Sequence, residues 1–136
     1  FVGEHYENRN RLTTHAVARL VHSIAGGVAV SAARSQAMLT LMQRNLQAER
    51  PITVEEDQIT GFLGAGLPPQ TAFYSKAGFT SQVRHDAAYI EIPGQHPFIL
   101  VAFTEGREHS QNKFILPQLA TLVTEQMSLL PAADLS

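Results

Sequence analysis

An apolar run without polar alternation, Phe98-Ile99-Leu100-Val101-Ala102-Phe103, constrains the fold of this chain more than any other feature. Antiparallel sheets commonly need cover on one face only, and their strands then alternate apolar and polar residues. A strand that is apolar on both faces must be covered on both. The chain is therefore expected to contribute to an α/β/α sandwich, from which part of the covering layer is missing.

Composition indicates an ordinary single domain and argues against several kinds of partner. The 136 residues are 44% hydrophobic and 16% charged, which is enough to bury one core. The net charge of −2 gives no reason to expect nucleic acid or an anionic membrane as a partner. No apolar run is long enough to span a bilayer. Without cysteines, and with six histidines that show no convincing ligand spacing, no metal site is expected.

Three apolar runs are predicted to form the sheet, at residues 71–76, 83–92 and 98–104. The last two are separated by Pro93-Gly94-Gln95-His96-Pro97, a sequence that predicts a hairpin loop. We therefore expect an α+β fold with an antiparallel sheet of about three strands, flanked by helices.

Four helical segments are predicted around this sheet. The first is capped by Thr13-Thr14 and stopped by Gly26-Gly27, and the second runs from about residue 31 to 45. A short segment is predicted at 54–63 and a terminal helix at 110–130, where Pro117 marks a kink or the true start. The predicted inner face of the second helix consists of Ala33, Ala37, Met38, Leu41 and Met42. That of the terminal helix consists of Ile115, Leu116, Leu119, Leu122, Val123, Gln126 and Met127.

The most informative stretch runs from Tyr74 to Thr80 and continues in Val83 to Ile90. Lys76 and Gly78 stand at the outer end of one apolar run, and Arg84 opens the next. Cationic groups and a bare backbone edge would then meet, as an anion-binding or oxyanion-stabilising edge requires. The alternative is ordinary strand-end charges beside an edge bulge.

The Lys76-Ala77-Gly78 spacing resembles the Lys-Thr-Gly strand of class A β-lactamases and related penicillin-binding serine hydrolases. The order of elements from about Thr13 to Met127 is similar to the C-terminal half of such a protein. The resemblance implies that residues 1–136 are the C-terminal portion of a β-lactamase-like domain whose N-terminal half, with the nucleophile, is absent from this chain. It also implies a periplasmic or secreted protein that needs no cofactor.

The resemblance implies a role for each residue of the motif. Lys76 would hold the active-site hydroxyl network and the substrate carboxylate electrostatically, and the backbone N–H of Phe79 would be an oxyanion donor. Arg84 would bind the substrate carboxylate, which guanidinium geometry allows in a bidentate manner. Asp86 is predicted to be structural. The remaining substrate-binding positions would be Ala77, Gly78 and Thr80.

A second pattern, Glu4-x-x-x-Asn8, lies in the polar segment at the start of the chain. Its spacing resembles that of the loop that positions the deacylating water in class A β-lactamases. By this resemblance Glu4 would be a general base. Asn8 would orient Glu4 and would also contact the substrate. A solvated loop is the alternative interpretation.

Two departures from the family pattern bear on function. Ala77 stands where the family carries a hydroxyl, so one hydrogen bond to a substrate carboxylate would be missing. No Ser-x-x-Lys precedes the motif strand. Ser110-Gln111-Asn112-Lys113 has this spacing but follows the strand, and Ser110 is predicted to be a helix N-cap. Without a nucleophile, the chain alone cannot run acyl transfer.

Two functions therefore remain open. The chain is either part of a serine hydrolase that acts on β-lactams or related amides, or a non-catalytic module that binds peptidoglycan-like or protein ligands. The first needs an N-terminal half, on the same precursor or on a second chain. Glu4-x-x-x-Asn8 and Arg84 favour the enzyme, and Ala77 favours the binding module. A homo-oligomer is a further arrangement that the sequence allows.

Overall fold

A computed structural model describes residues 11–48 and 57–131. In these residues an antiparallel four-stranded sheet has the order β1-β2-β3-β4 and is flanked by helices, which confirms the expected α+β fold. The strands are β1 (Gln43–Arg44), β2 (Ala72–Phe79), β3 (Val83–Glu91) and β4 (Phe98–Glu105). The helices are α1 (Thr14–Ala25), α2 (Ala32–Met42), α3 (Arg107–Gln111) and α4 (Ile115–Ser128), with a 3₁₀ helix at Leu63–Gly66.

The strand register divides the side chains between two faces of the sheet. Phe73 pairs with Ile90 and Phe79 with Arg84 along the β2–β3 ladder. Because side chains alternate along a strand, Phe73 and Phe79 share a face with Ile90 and Arg84. This face is called the core face below. Lys76 and Gly78 lie on the opposite face.

The main core lies between the core face, the 3₁₀ helix and α4. It is built around Leu63, Phe73, Ile90 and Leu116, all with no exposed surface. The 3₁₀ helix and α4 approach each other closely, because Thr121 Oγ1 donates to the Gly66 carbonyl at 3.1 Å. This packing holds the 3₁₀ helix, which precedes β2 in the chain, against the core face of the sheet.

Helix α1 packs against β3 and β4 on the other side of the sheet. Its buried residues Val21 and Ile24 lie outside the core cluster of the core face. The side chains of β4 are at least half-buried on both faces from Phe98 to Thr104. Helices therefore cover both faces of this strand, as its uninterrupted apolar sequence predicts.

The first helix forms where its capping residues predict. Thr13 Oγ1 accepts a hydrogen bond from the Ala16 N–H at 3.1 Å, and Gly26 is the C-cap. The hairpin between β3 and β4 is also as predicted, with Gly94 at φ +80° in its loop.

The second helix is shorter than predicted, and its predicted inner face is buried only in part, since Met38 and Met42 are half-buried and Ala37 is exposed. It ends at Met42, because Gln43 and Arg44 leave the helix and pair with Tyr74 and Phe73 of β2. Its fully buried residue is Ser35, whose hydroxyl both donates to and accepts from the Ala29 backbone at 2.9 Å. Leu41, predicted to face inward, is 77% exposed.

The helix predicted at 54–63 is not present in residues 57–62. Asp57 Oδ1 accepts hydrogen bonds from the N–H groups of Ile59 and Thr60, and Gly61 has φ +77°. Both features favour a turn over a helix. Residues 54–56 lie outside the described residues.

The terminal helical segment is divided into α3 and α4. Pro117 lies in the first turn of α4, where its missing N–H costs nothing, so it marks the start of this helix. Ser110 is not an N-cap, because it lies inside α3 and its hydroxyl donates to the Ser81 and Arg107 carbonyls. The buried positions of α4 are Leu116 and Ala120, whereas Leu122 is 59% exposed.

Candidate functional site

The edge of β2 from Lys76 to Phe79 has no strand beside it in the described part of the chain, because β1 reaches only Phe73 and Tyr74. Peptide groups along a strand point alternately to its two sides. Thr80 N–H turns toward β3 and donates to the Val83 carbonyl at 2.9 Å, whereas the Ser75 carbonyl accepts from Arg44 of β1. By this alternation the backbone N–H of Phe79 is directed to the open edge.

Lys76 and Gly78 lie together beside this edge. The Lys76 side chain is exposed, and its Nζ donates to the Ala77 carbonyl. A Cβ built on Gly78 would meet no atom within 4 Å, so the backbone there is accessible. A cation, an unobstructed glycine and an outward N–H are thus found within the four residues from Lys76 to Phe79.

Ala77 and Thr80 occupy different surroundings. Ala77 is buried on the core face, opposite Asp86 in the strand register. Thr80 closes the turn between β2 and β3, where its Oγ1 accepts from the N–H groups of Gln82 and Val83 at 3.2 Å. In these positions Ala77 contributes its backbone to the edge, and Thr80 shapes the turn that follows it.

Arg84 is not brought together with Lys76. Its side chain is on the core face and only 3% exposed. Nε donates to the Ser110 carbonyl at 2.8 Å and Nη1 to the Gly61 carbonyl at 3.4 Å. The guanidinium carbon lies 4.8 Å from the Phe62 ring centroid and 4.3 Å from that of Phe79. The predicted contact with a substrate carboxylate stays a prediction.

Glu4 and Asn8 lie outside the described residues, so their predicted roles also stay predictions. Within the described ranges, no group of three or more His, Cys, Asp or Glu side chains could hold a metal ion. No helix there is long and apolar enough to cross a membrane.

A polar cleft of about 560 Å³ lies at the other end of β2, between residues 40–47 and 69–73. None of the residues from Lys76 to Arg84 lines this cleft.

Asp86 is a fully buried carboxyl directly beneath the motif. Its Oδ2 accepts from the Leu63 N–H at 3.1 Å, whereas Oδ1 is buried without a hydrogen-bond partner. Burial raises the pKa of Asp86 to about 7, although the Leu63 and Ala87 N–H groups and the charges of Arg44 and Lys76 act in the other direction. The carboxyl therefore titrates near neutral pH.

Asp86→Asn should flatten the pH dependence of stability. The pKa of Asp86 is higher in the folded chain than its unfolded value of 3.8, so the protonated form stabilises the fold. This contribution is complete below pH 3.8 and is lost as pH rises through about 7. In chemical denaturation between pH 4 and 7, we expect the wild type to lose up to about 1.4 kcal/mol per pH unit relative to the variant. Parallel pH profiles would show that Asp86 does not titrate in this range.

Most of this chain matches the sequence pattern of one known protein family. The sequence model of the β-lactamase enzyme family matches residues 1–127. The chain belongs to the β-lactamase enzyme family. A search of curated proteins found no match.

Solved β-lactamases and a penicillin-binding protein share this fold. PBP-A superposes with a TM-score of 0.71 at 18% identity, over 91% of this chain and 43% of PBP-A. A β-lactamase from Sphaerobacter thermophilus gives 0.65 at 21% identity, over 85% of this chain and 40% of that enzyme. One from Xanthomonas campestris pv. campestris gives 0.66 at 22%, over 87% and 41%. The chain thus spans less than half the length of these β-lactamase-fold proteins.

Several residues around the site could not be predicted from the spacing of the family motif. Phe62 and Ser110 contact Arg84 from segments that are 22 and 26 residues away in the sequence, and neither follows a motif spacing. Asp86 does carry a sequence signal, because an acidic residue next to the apolar run Ala87 to Ile90 predicts a specific buried partner. That partner, the Leu63 N–H, depends on the tertiary fold.

Proposed function

We propose that this chain is part of a serine hydrolase of the β-lactamase type and supplies the Lys-x-Gly strand of its active site. The open edge of β2 carries this proposal, since it presents Lys76, the accessible backbone at Gly78 and the outward N–H of Phe79. An N–H aimed at a developing oxyanion and a nearby cation are what acyl transfer needs from such a strand. Membership of the β-lactamase family supports the same reaction class.

The substrate would be a β-lactam or a related amide. A PBP-A variant is known as an acyl-enzyme complex with penicillin G, and PBP-A shares the fold of this chain. Lys76 would stabilise the substrate carboxylate, and Phe79 N–H would stabilise the oxyanion. Glu4 as a general base and Asn8 as its orienting partner belong to the same proposal, whereas a carboxylate contact from Arg84 does not, because the Arg84 side chain is buried on the core face, opposite Lys76.

The nucleophile would come from an N-terminal half, on the same precursor or on a second chain. The relatives are more than twice as long as the portion they share with this chain. The open edge of β4 offers unpaired backbone groups to such a half, and the exposed residues Leu20 and Val28 offer apolar surface. A periplasmic or secreted location, as is typical of β-lactamases, would agree with this proposal.

Intact-mass spectrometry under denaturing conditions, before and after exposure to penicillin G, tests the proposal. In the full-length protein, one polypeptide should gain the mass of the drug, because acyl-enzymes of this type are covalent esters. In a two-chain assembly the adduct should be on the partner chain. A protein that neither gains an adduct nor hydrolyses penicillin G would contradict the enzyme proposal.

A non-catalytic module for peptidoglycan-like or protein ligands is the second candidate. The observation that favours it is Ala77, which provides no hydroxyl and whose methyl group is buried on the core face. The binding module is supported if the full-length protein binds a peptidoglycan fragment in calorimetry and Lys76→Ala abolishes this binding, while penicillin G neither leaves an adduct nor is hydrolysed.

A further inference from the structure

A second group of interactions lies beneath the turn end of β2. Arg84 is held between the rings of Phe62 and Phe79, with its guanidinium carbon at 4.8 Å and 4.3 Å from their centroids. Both distances are within the range in which an aromatic face attracts a cation. Phe62 and Arg84 are buried, whereas Phe79 is 45% exposed. The Phe62 ring, the Arg84 guanidinium and the Phe79 ring thus form a stack that extends from the core to the last residue of the open edge of β2.

Backbone carbonyls fix the position of Arg84. Ser110 of α3 accepts from Nε at 2.8 Å, and Gly61 accepts from Nη1 at 3.4 Å. Gly61 has φ +77°, and a Cβ there would lie 3.2 Å from Nη1, so the turn leaves room for the guanidinium. The Arg84 backbone is also held, because Thr104 Oγ1 accepts from its N–H and donates to its carbonyl.

The turn after Phe79 is fastened by the same helix. Ser110 Oγ donates to the Ser81 carbonyl at 2.8 Å, and Gly106 N–H donates to the Gln82 carbonyl at 2.8 Å. The segment on either side of Phe79 is therefore restrained, and the Phe79 ring itself is restrained by Arg84. A residue fixed through its side chain and the following turn has little freedom to move its own N–H.

We propose that Phe62, Arg84 and Ser110 form a clamp that positions Phe79, and that Arg84 acts on the reaction through Phe79. This clamp rests on the proposed function, because the Phe79 N–H would serve as the oxyanion donor there. Electrostatic stabilisation of this kind depends on donors that are already in place before the reaction. Phe62 and Arg84 are thus positioning residues, and the side chain at position 79 must be aromatic to engage the clamp.

NMR of the full-length protein tests the clamp without reference to activity. The Arg84 Nε–H is buried and hydrogen-bonded, so it should give its own slowly exchanging resonance. The two rings shift this resonance by their ring currents. Phe62→Leu and Phe79→Leu should each move it, whereas Phe62→Tyr should leave it close to its wild-type position. An unchanged resonance in both leucine variants would overturn the proposal.

The acylation kinetics with penicillin G provide the functional measurement. We expect Phe62→Leu to slow the acylation step by about 2- to 30-fold, the range of one cation–π contact, with little change in the apparent dissociation constant. Phe62→Tyr, which keeps an aromatic ring at this position, should react at close to the wild-type rate. Phe73→Leu, the same change at a fully buried ring of β2, should not slow acylation. An equal loss in Phe73→Leu or in Phe62→Tyr would show general destabilisation and would overturn the proposal.

The two measurements separate this inference from the proposed function. If the wild type does not react with penicillin G but the leucine variants move the Arg84 resonance, the clamp exists and the hydrolase proposal is wrong. If the wild type reacts and the variants change neither resonance nor rate, the hydrolase proposal stands and the clamp is wrong.

Discussion

Lys76→Ala is expected to slow acylation by penicillin G about 10- to 150-fold in the full-length protein. The variant removes one charged contact at the open edge of β2, and such contacts contribute about 1.5–3 kcal/mol. The Lys76 side chain is exposed, so the melting temperature should stay within a few degrees of the wild-type value. Time-resolved intact-mass spectrometry measures the rate, and thermal unfolding measures the stability.

Lys113→Ala is the matched control, because Lys113 is also exposed and lies outside the motif. It should leave the acylation rate unchanged. Equal losses of rate in both lysine variants would point to a general charge effect. A large loss of stability in Lys76→Ala would show that Lys76 has a structural role.

Gly66→Ala is expected to destabilise the fold by about 3 kcal/mol or more. A Cβ at Gly66 would lie 2.0 Å from the Pro117 carbonyl oxygen, so the 3₁₀ helix and α4 would have to separate. Overpacking of this kind typically costs about 1–3 kcal/mol, and a clash with backbone belongs at the upper end. Chemical denaturation measures the free energy of unfolding.

Gly78→Ala is the control for this variant, since a Cβ at Gly78 meets no atom within 4 Å. Its stability should equal or slightly exceed that of the wild type, because alanine loses less backbone entropy than glycine on folding. Acylation should nevertheless slow, because the new methyl group lies where a ligand approaches the edge. A Gly66→Ala protein as stable as Gly78→Ala would contradict the close packing of α4 on the 3₁₀ helix.

Local chemistry was sufficient to predict most elements of the fold. Thr13 and Gly26 delimit α1 because a hydroxyl caps the first N–H groups and a glycine tolerates the helix end. The apolar runs became β2, β3 and β4 because alternating or uninterrupted apolar residues must be buried in a sheet. The Lys76-Ala77-Gly78 motif and the order of elements were enough to predict the family that the comparison confirms.

Two of the wrong predictions, the end of α2 and the role of Ser110, depend on distant contacts. Helix α2 stops at Met42 because Arg44 pairs with Phe73 and donates to the Ser75 carbonyl. Helical propensity cannot reveal this competition between a helix and a strand partner. Likewise, the local sequence of Ser110 predicts a helix cap, but its hydroxyl donates to the distant Ser81 carbonyl.

The sequence by itself determined β2, β3, β4, the first helix, the family and the neighbouring positions of Lys76 and Gly78, because these follow from local periodicity and spacing. Only the tertiary structure decided that Arg84 lies on the opposite face from Lys76. The turn at Thr80 pairs Phe79 with Arg84, and this register sets the face of every residue in β3. The burial of Arg84 between Phe62 and Phe79 then follows from the packing of separate segments, which no local pattern encodes.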